Sequence, residues 1–191
     1  MKNVFIISGA AGSGKDAVID GLQAILPIER VITTTTRAPR PTESEGHPYC
    51  FLSPEAFQSG IAAGDFVEYS INENGEWYGV TQAELDRIAK KKCLAIWRVD
   101  WKGVVAIKKL YPDIPALYIS APLSVLEARL RARDLDKDKT YFSERMAYTR
   151  EWLKHLDIYD YSIENEQGHL EKTIARVVAL IQEHQQKHTG Q

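Results

Sequence analysis

Residues 4–15 read Val-Phe-Ile-Ile-Ser-Gly-Ala-Ala-Gly-Ser-Gly-Lys. The apolar run Val4–Ile7 predicts a strand buried on both faces, and it passes directly into a glycine-rich turn that ends in Lys15 at the mouth of a helical pattern. Gly9 and Gly14 occupy the ends of a GxxxxGK spacing, with Gly12 a third residue lacking a Cβ. Ala10, Ala11 and Ser13 complete a loop whose backbone N–H groups can turn inward on phosphate oxygens. The helix that follows directs its positive dipole end to the same place, and Lys15 supplies a mobile charge for the outer phosphates. An ordinary glycine-rich turn is the alternative, but strand, glycine spacing, lysine and helix fall in the required order.

One member of that signature differs. Asp16 stands where a Ser or Thr hydroxyl ordinarily meets Mg²⁺. A carboxylate is itself a good hard-metal ligand, although it brings negative charge close to the phosphates.

Outward from this loop, the 191 residues suffice for one sizeable core with small insertions. A hydrophobic content of 44% with 26% charged residues is that of a globular chain, and a net charge of −2 offers no global field for nucleic acid or a membrane surface. Cys50 and Cys93 have neither CxxC spacing nor an adjacent His cluster, so two reduced thiols are expected rather than a zinc site or a disulfide. With no signal-peptide pattern and no membrane-length apolar stretch, the expected location is the cytoplasm.

Val18, Leu22, Ile25 and Leu26 recur at helical spacing before Pro27. Four threonines, Thr33–Thr36, then precede Arg37 and Arg40, a segment poorly explained as core. The two guanidiniums can hold a phosphate through forked hydrogen bonds, with Pro39 and Pro41 restricting the backbone. On these residues alone a solvated basic loop remains equally open. Further inward-facing patterns are Leu85, Ile88 and Ala89; Cys93–Trp97 as a strand; Val104, Ile107 and Leu110; Ala116–Ile119 as a strand; and Tyr159–Ile163 as the last strand. A final helix turns Leu170, Ile174, Val177, Val178 and Ile181 inward. Alternating strands and helices predict a parallel sheet with helices on both faces. His184 and His188 share a helical face, with nothing else converging to make a metal site.

Thr-Thr-Thr-Arg-Ala-Pro-Arg with Gly46, Tyr49 and Phe51 resembles the monophosphate-binding segment of guanylate kinases. Asp65–Tyr69, Trp77-Tyr78-Gly79, Asp100–Gly103, Pro122–Arg133 and Tyr159-Asp160-Tyr161 match further elements of that family in order. The resemblance implies an α/β fold with a P-loop NTPase-type parallel sheet, a small nucleotide-monophosphate-binding insert and a helical lid. It implies one domain over 1–191, with a core at 1–32, 83–126 and 158–191, the insert at 33–82 and the lid at 127–157. It implies ATP-dependent phosphorylation of GMP or dGMP with Mg²⁺, in a monomer or homodimer with no nucleic-acid or membrane partner.

The same resemblance assigns roles. Lys15, Arg133 and Arg145 would be catalytic, with Arg129 a lesser lid candidate. The loop from Gly9 to Asp16, with Asn165 near the adenine, would bind ATP. Thr33, Arg37, Arg40, Tyr49, Glu68, Tyr78 and Asp100 would bind the acceptor, Glu68 by accepting from the guanine N1 and N2 hydrogens. Asp16 and Asp100 would serve the metal. Beside Asp16, the chain departs from the family at Val80, where a hydroxyl is usual; at Arg98, where an acid is usual; and at Asp134 in the lid tip. We expect Arg98 to balance Asp16 near the nucleotide phosphates. Gly-Lys-Asp and Tyr-Gly-Val also resemble ribose 1,5-bisphosphate phosphokinases, and a non-catalytic phosphopeptide-binding module is a third reading. The retained Arg37, Arg40, Tyr49 and Glu68 argue against the second, and the intact loop with Lys15 against the third.

Overall fold

The computed structural model describes residues 3–189 except 42, 73 and 92. In chain order the elements are β1 (Val4–Ser8), α1 (Lys15–Ile25), β2 (Ile28–Arg30), β3 (Thr33–Thr35), β4 (Ser44–Glu45), β5 (Pro48–Phe51), α2 (Pro54–Ala63), β6 (Phe66–Ile71) and β7 (Trp77–Thr81). There follow α3 (Gln82–Lys91), β8 (Leu94–Arg98), α4 (Trp101–Leu110), β9 (Ala116–Ser120), α5 (Leu123–Arg133), α6 (Lys139–Trp152), a 3-10 turn (Leu153–Ile158), β10 (Tyr161–Glu164) and α7 (Leu170–Thr189). Two compact units result, one taking the chain up to Ile6 with Ile28–Ile114, the other Ile7–Pro27 with Pro115 onward.

In the first unit, β2 and β8 pair in parallel, Ile28 opposite Leu94 and Arg30 opposite Ile96. Ala95 N donates to Asn3 O at 2.8 Å, which sets β8 beside the start of β1. Arg87 of α3 ties helix to strand, its Nε 2.8 Å from Glu84 Oε2 and its Nη1 3.0 Å from Glu29 Oε2. A second, mixed sheet has the order β4-β5-β3-β7-β6, with β3 parallel to β5 and antiparallel to β7. β3 is therefore central in that sheet, and Thr33, Thr34 and Thr35 are all buried, contrary to the expectation that these threonines lie outside a core. Their β-branched side chains suit a sheet interior, and the Thr35 hydroxyl donates to Trp77 O at 2.9 Å.

α2 had no counterpart among the sequence expectations, although its ends carry legible signals. Ser53 caps it by accepting from Ala56 N, Pro54 follows, and Gly64 closes it in the left-handed region. Its one buried residue, Phe57, stacks on Phe66 with ring centroids 4.2 Å apart.

In the second unit β9 and β10 are parallel, Leu117 opposite Tyr161 and Ser120 opposite Glu164. Asp160 precedes that strand, and its carboxylate accepts from Ala116 N at 2.7 Å. Tyr159 also stays outside the ladder, contrary to the expected strand start, because its phenol bridges Trp152 Nε1 and Ser8 Oγ at 2.9 and 3.1 Å. α1 and α7 pack together, burying Val18, Ile19 and Leu22 against a face with Ile174, Val177 and Ile181. Ile25, Leu110 and Leu170 end their apolar stripes exposed, since each sits in a terminal turn beyond the sheet's cover. α6 begins at Lys139, where Asp138 caps it by accepting from Tyr141 N at 2.9 Å. In both units parallel strands alternate with flanking helices, the expected α/β class. No helix among the described residues is long and apolar enough to cross a membrane.

Candidate active site

In the second unit, the loop between β1 and α1 is shaped by residues without a Cβ. Gly14 takes φ 82° as the cap of α1, and a Cβ there would strike the Asn165 amide. Gly12, at φ 84°, leaves no more room, its hypothetical Cβ falling 2.7 Å from Leu126 O. The cradle is thus one that side chains would fill, which fits a bound polyphosphate. Ala10 and Ser13 are buried, Ala11 is half-buried, and Lys15 opens α1 with Asp16 exposed beside it.

Asn165 is buried and holds this loop: its Nδ2 donates to Ser13 O at 2.8 Å while its Oδ1 accepts from Thr173 Oγ1 at 3.1 Å. Arg129 adds a second brace, reaching Gly12 O at 3.2 Å, Asn165 O at 3.2 Å and Gln167 Oε1 at 2.9 Å. Sequence reasoning ranked Arg129 below its neighbours, yet its guanidinium lies on the loop backbone. Arg133, at the end of α5, is clasped by Asp134, with Nε to Oδ1 at 2.7 Å and Nη2 to Oδ2 at 2.8 Å. Tyr141 donates to the same carboxylate at 2.7 Å, and Arg145 lies over the Tyr141 ring at 5.6 Å.

In the first unit, a different set gathers on the second sheet. Glu68 is only 6% exposed, although it sits on a strand with an exposed neighbour, Tyr69. A bulge interrupts the β6–β7 pairing between Phe66 and Glu68, and beyond it Glu68 stands opposite Val80. No group among the described residues donates a hydrogen bond to its carboxylate. Burial, with a smaller contribution from the charge of Asp100, pushes the Glu68 carboxyl up to about 8. A buried acid without a donor is costly unless something brought from outside supplies one.

On β5 of the same sheet, paired in register with Thr33 of β3, is the buried Tyr49, edge-on to Tyr78 at 6.1 Å. Arg37 lies over the Tyr49 ring at 5.2 Å and pairs with Glu43 at 2.9 Å. Tyr78 donates to Glu76 Oε2 at 3.3 Å, and burial raises its phenol above the ordinary value. Arg40 is exposed on the turn beyond β3, its backbone N held by Glu43 Oε2 at 2.9 Å. Asp100 caps α4 through Gly103 N at 2.9 Å, a structural duty that its sequence role did not foretell. Arg98, at the end of β8, donates through Nη1 to the Tyr49 hydroxyl. Val80 is fully buried, and Thr81 beside it accepts from Glu84 N at 3.3 Å at the start of α3.

Each unit therefore carries its own chemistry: in the second a main-chain cradle with a lysine, and in the first a cluster of guanidiniums and phenols together with a buried carboxylate. Residues 1–184 match the guanylate kinase family. The chain belongs to that family. A guanylate kinase of Haemophilus influenzae is 34% identical over 184 residues, covering 94% of this chain and 87% of that one. One of Idiomarina loihiensis is 33% identical over 168 residues, covering 86% of this chain and 79% of that one. The crystal structure of a guanylate kinase from Anaplasma phagocytophilum matches with a TM-score of 0.76 at 24% identity, over 96% of this chain and 86% of that one, a likeness of fold.

Cys50 and Cys93 are free thiols, and burial pushes the Cys50 thiol to about 11, too high for a nucleophile near neutrality. His184 Nδ1 sits 3.3 Å from the Tyr161 hydroxyl, while the side chain of His188 lies outside the described residues. Among the described residues no group of three or more His, Cys, Asp or Glu could hold a metal ion.

Proposed function

We infer that the chain is an ATP-dependent nucleoside monophosphate kinase that moves the γ-phosphoryl group of ATP to the phosphate of GMP, giving ADP and GDP, with dGMP as a second acceptor. The observation that carries this reading is Glu68: a carboxylate 6% exposed with no donor among the described residues suits a base edge that presents two adjacent N–H groups. Guanine offers that edge through N1 and N2; adenine does not.

In this reading Arg37, Arg40, Tyr49 and Tyr78 hold the acceptor phosphate, two cations and two phenols matching its oxygens in type. Thr33 lies in register with Tyr49 and serves the base. Lys15 and the amides of Gly9–Lys15 hold the donor phosphates. Arg133 and Arg145 spread over charge that builds on the transferring group. Asn165 acts through Ser13 and the loop, since both ends of its amide are engaged.

Mg²⁺ in such reactions sits on phosphate oxygens, keeps several waters and takes only one or two carboxylates, so a cluster of three is not required. The exposed carboxylate of Asp16, in the first turn of α1, is a donor of the right hardness to hold it. When bound, the metal neutralises phosphate charge. Asp100 acts on Glu68 through its own charge. Because the acceptor is already an anion, no strong general base is needed, and catalysis reduces to alignment, charge neutralisation and exclusion of water. Free thiols at Cys50 and Cys93 accord with work in the reducing cytoplasm.

A coupled assay of ADP release with GMP, dGMP, AMP, UMP and ribose 1,5-bisphosphate tests the reading. Turnover with the two guanine nucleotides well above the rest is expected. Preference for the sugar phosphate, or no turnover at all, would overturn it in favour of the small-molecule kinase or the binding module.

A further inference from the structure

We propose that Arg98 is a positioning residue of the acceptor-phosphate site, acting through the hydroxyl of Tyr49. This rests on the kinase reading above and assigns the site a residue that the family places elsewhere in charge, since an acid is usual at that position.

The argument begins with donor inventory. A guanidinium has only N–H donors, so in the contact between Arg98 Nη1 and Tyr49 the phenolic oxygen must accept. Its own hydrogen is then directed away from Arg98 and can be given to an acceptor oxygen. A phenol that accepts from a cation is polarised and becomes the stronger donor.

The second strand is charge. Tyr49 is flanked by two guanidiniums, Arg37 at 5.2 Å and Arg98 at 5.7 Å from its ring centroid. Arg37 is balanced by Glu43 in a nearly buried pair, the side chains 11% and 9% exposed. Arg98 on β8 brings a second guanidinium to the same phenol. Tyr49 itself is buried and fixed in register on β5 with Tyr78 against its edge, so its hydroxyl direction is set by partners rather than by rotation.

Steady-state kinetics with GMP and ATP varied in turn, on Arg98→Met, Arg98→Lys, Tyr49→Phe and the Arg98→Met/Tyr49→Phe pair, test the proposal. Arg98→Met should raise KM for GMP by about tenfold while kcat and KM for ATP move less than about threefold, because the contact binds ground and transition states alike. Arg98→Lys keeps the charge without the fork and should raise KM for GMP by about threefold. In the Tyr49→Phe background, Arg98→Met should add little, since the hydroxyl through which it acts is gone.

Unchanged KM for GMP in both Arg98 variants, or fully additive losses in the pair, would overturn the proposal while leaving wild-type turnover intact. If the methionine variant fails to fold, the lysine variant alone decides, wild-type KM for GMP sinking the idea. A wild-type chain that does not turn over GMP overturns the kinase reading, and this inference with it.

Discussion

On the kinase reading proposed above, the phosphate loop of the second unit and the Tyr49 cluster of the first solve one problem, holding a phosphate, with opposite materials. The loop works with main-chain amides, and its side chains matter chiefly by being small, as Gly12 and Gly14 show. The cluster works with side chains that must each be aimed: Arg37 by Glu43, Tyr49 by Arg98, Glu68 by a bulge in its strand. A main-chain cradle recognises phosphate and little else. A side-chain cradle can also tell one acceptor from another, at the cost of burying groups such as Glu68 whose charge is unwelcome without a ligand.

On that reading the largest effect should come from removing the positive charge of Lys15. Lys15→Ala is expected to lower kcat by about a thousandfold or more while leaving the thermal midpoint within a few degrees, read by the coupled assay and a melting curve. An active variant would break the contrast, because the amides alone would then suffice.

Glu68 sharpens it from the other side. Glu68→Gln should raise KM for GMP by about a hundredfold and leave KM for ATP nearly unchanged, since an amide presents one acceptor and a clashing donor. The pH dependence follows from its carboxyl being raised to about 8. The free protein holds a proton there that binding of two N–H donors must expel, so wild-type affinity for GMP should strengthen as pH rises from about 6 to about 9, with Glu68→Gln flat. Stability runs the other way. Between the ordinary carboxyl value and about 8 the native state binds the extra proton, so wild-type stability falls as pH rises through that window. The stabilisation of Glu68→Gln over wild type should therefore grow with pH in urea titrations, and a constant difference would show that Glu68 is not the responsible group.

This contrast also explains what could be read in the sequence. The loop was legible because its requirement is local: glycines at fixed spacing between an apolar strand and a helix, all within residues 4–15. The alternation of parallel strands and helices was legible for the same reason. The cluster is assembled from β3, β5, β6, β7 and β8, and no spacing rule links Tyr49 to Arg98 across 49 residues, so only resemblance to a family reached its members. Arg98 also donates to the Tyr49 phenol, a partner that carries no charge to announce it in the sequence. The buried threonines of β3 were misjudged because polarity outweighed their suitability for a central strand, which pairing on both sides creates. Capping residues stand at Ser53 and Asp138, but the helix after Ser53 buries only Phe57, so little apolar periodicity announces it.

A smaller effect is expected at the departure beside Lys15. Asp16→Ser restores the residue type usual at that position and should hold kcat within about threefold of wild type or raise it, with a changed Mg²⁺ requirement. Loss of turnover at all Mg²⁺ concentrations would instead make the carboxylate an indispensable ligand, and the loop would then share the cluster's reliance on one aimed side chain.

A comparably small effect tests whether a side chain of the second unit is held back by its neighbour. Arg133 is clasped by both oxygens of Asp134, but the pair is solvent-accessible, its side chains 46% and 16% exposed. An ion pair so placed stabilises by no more than about 1 kcal/mol, so releasing the arginine can raise kcat by at most about fivefold. Asp134→Asn keeps an acceptor for the Tyr141 hydroxyl and removes the charge, which separates this effect from loss of the tyrosine contact. A severalfold gain that vanishes in the Arg133→Ala background would show that Asp134 restrains the guanidinium. A loss would show the reverse, that the carboxylate holds Arg133 in its working direction, as Glu43 does for Arg37.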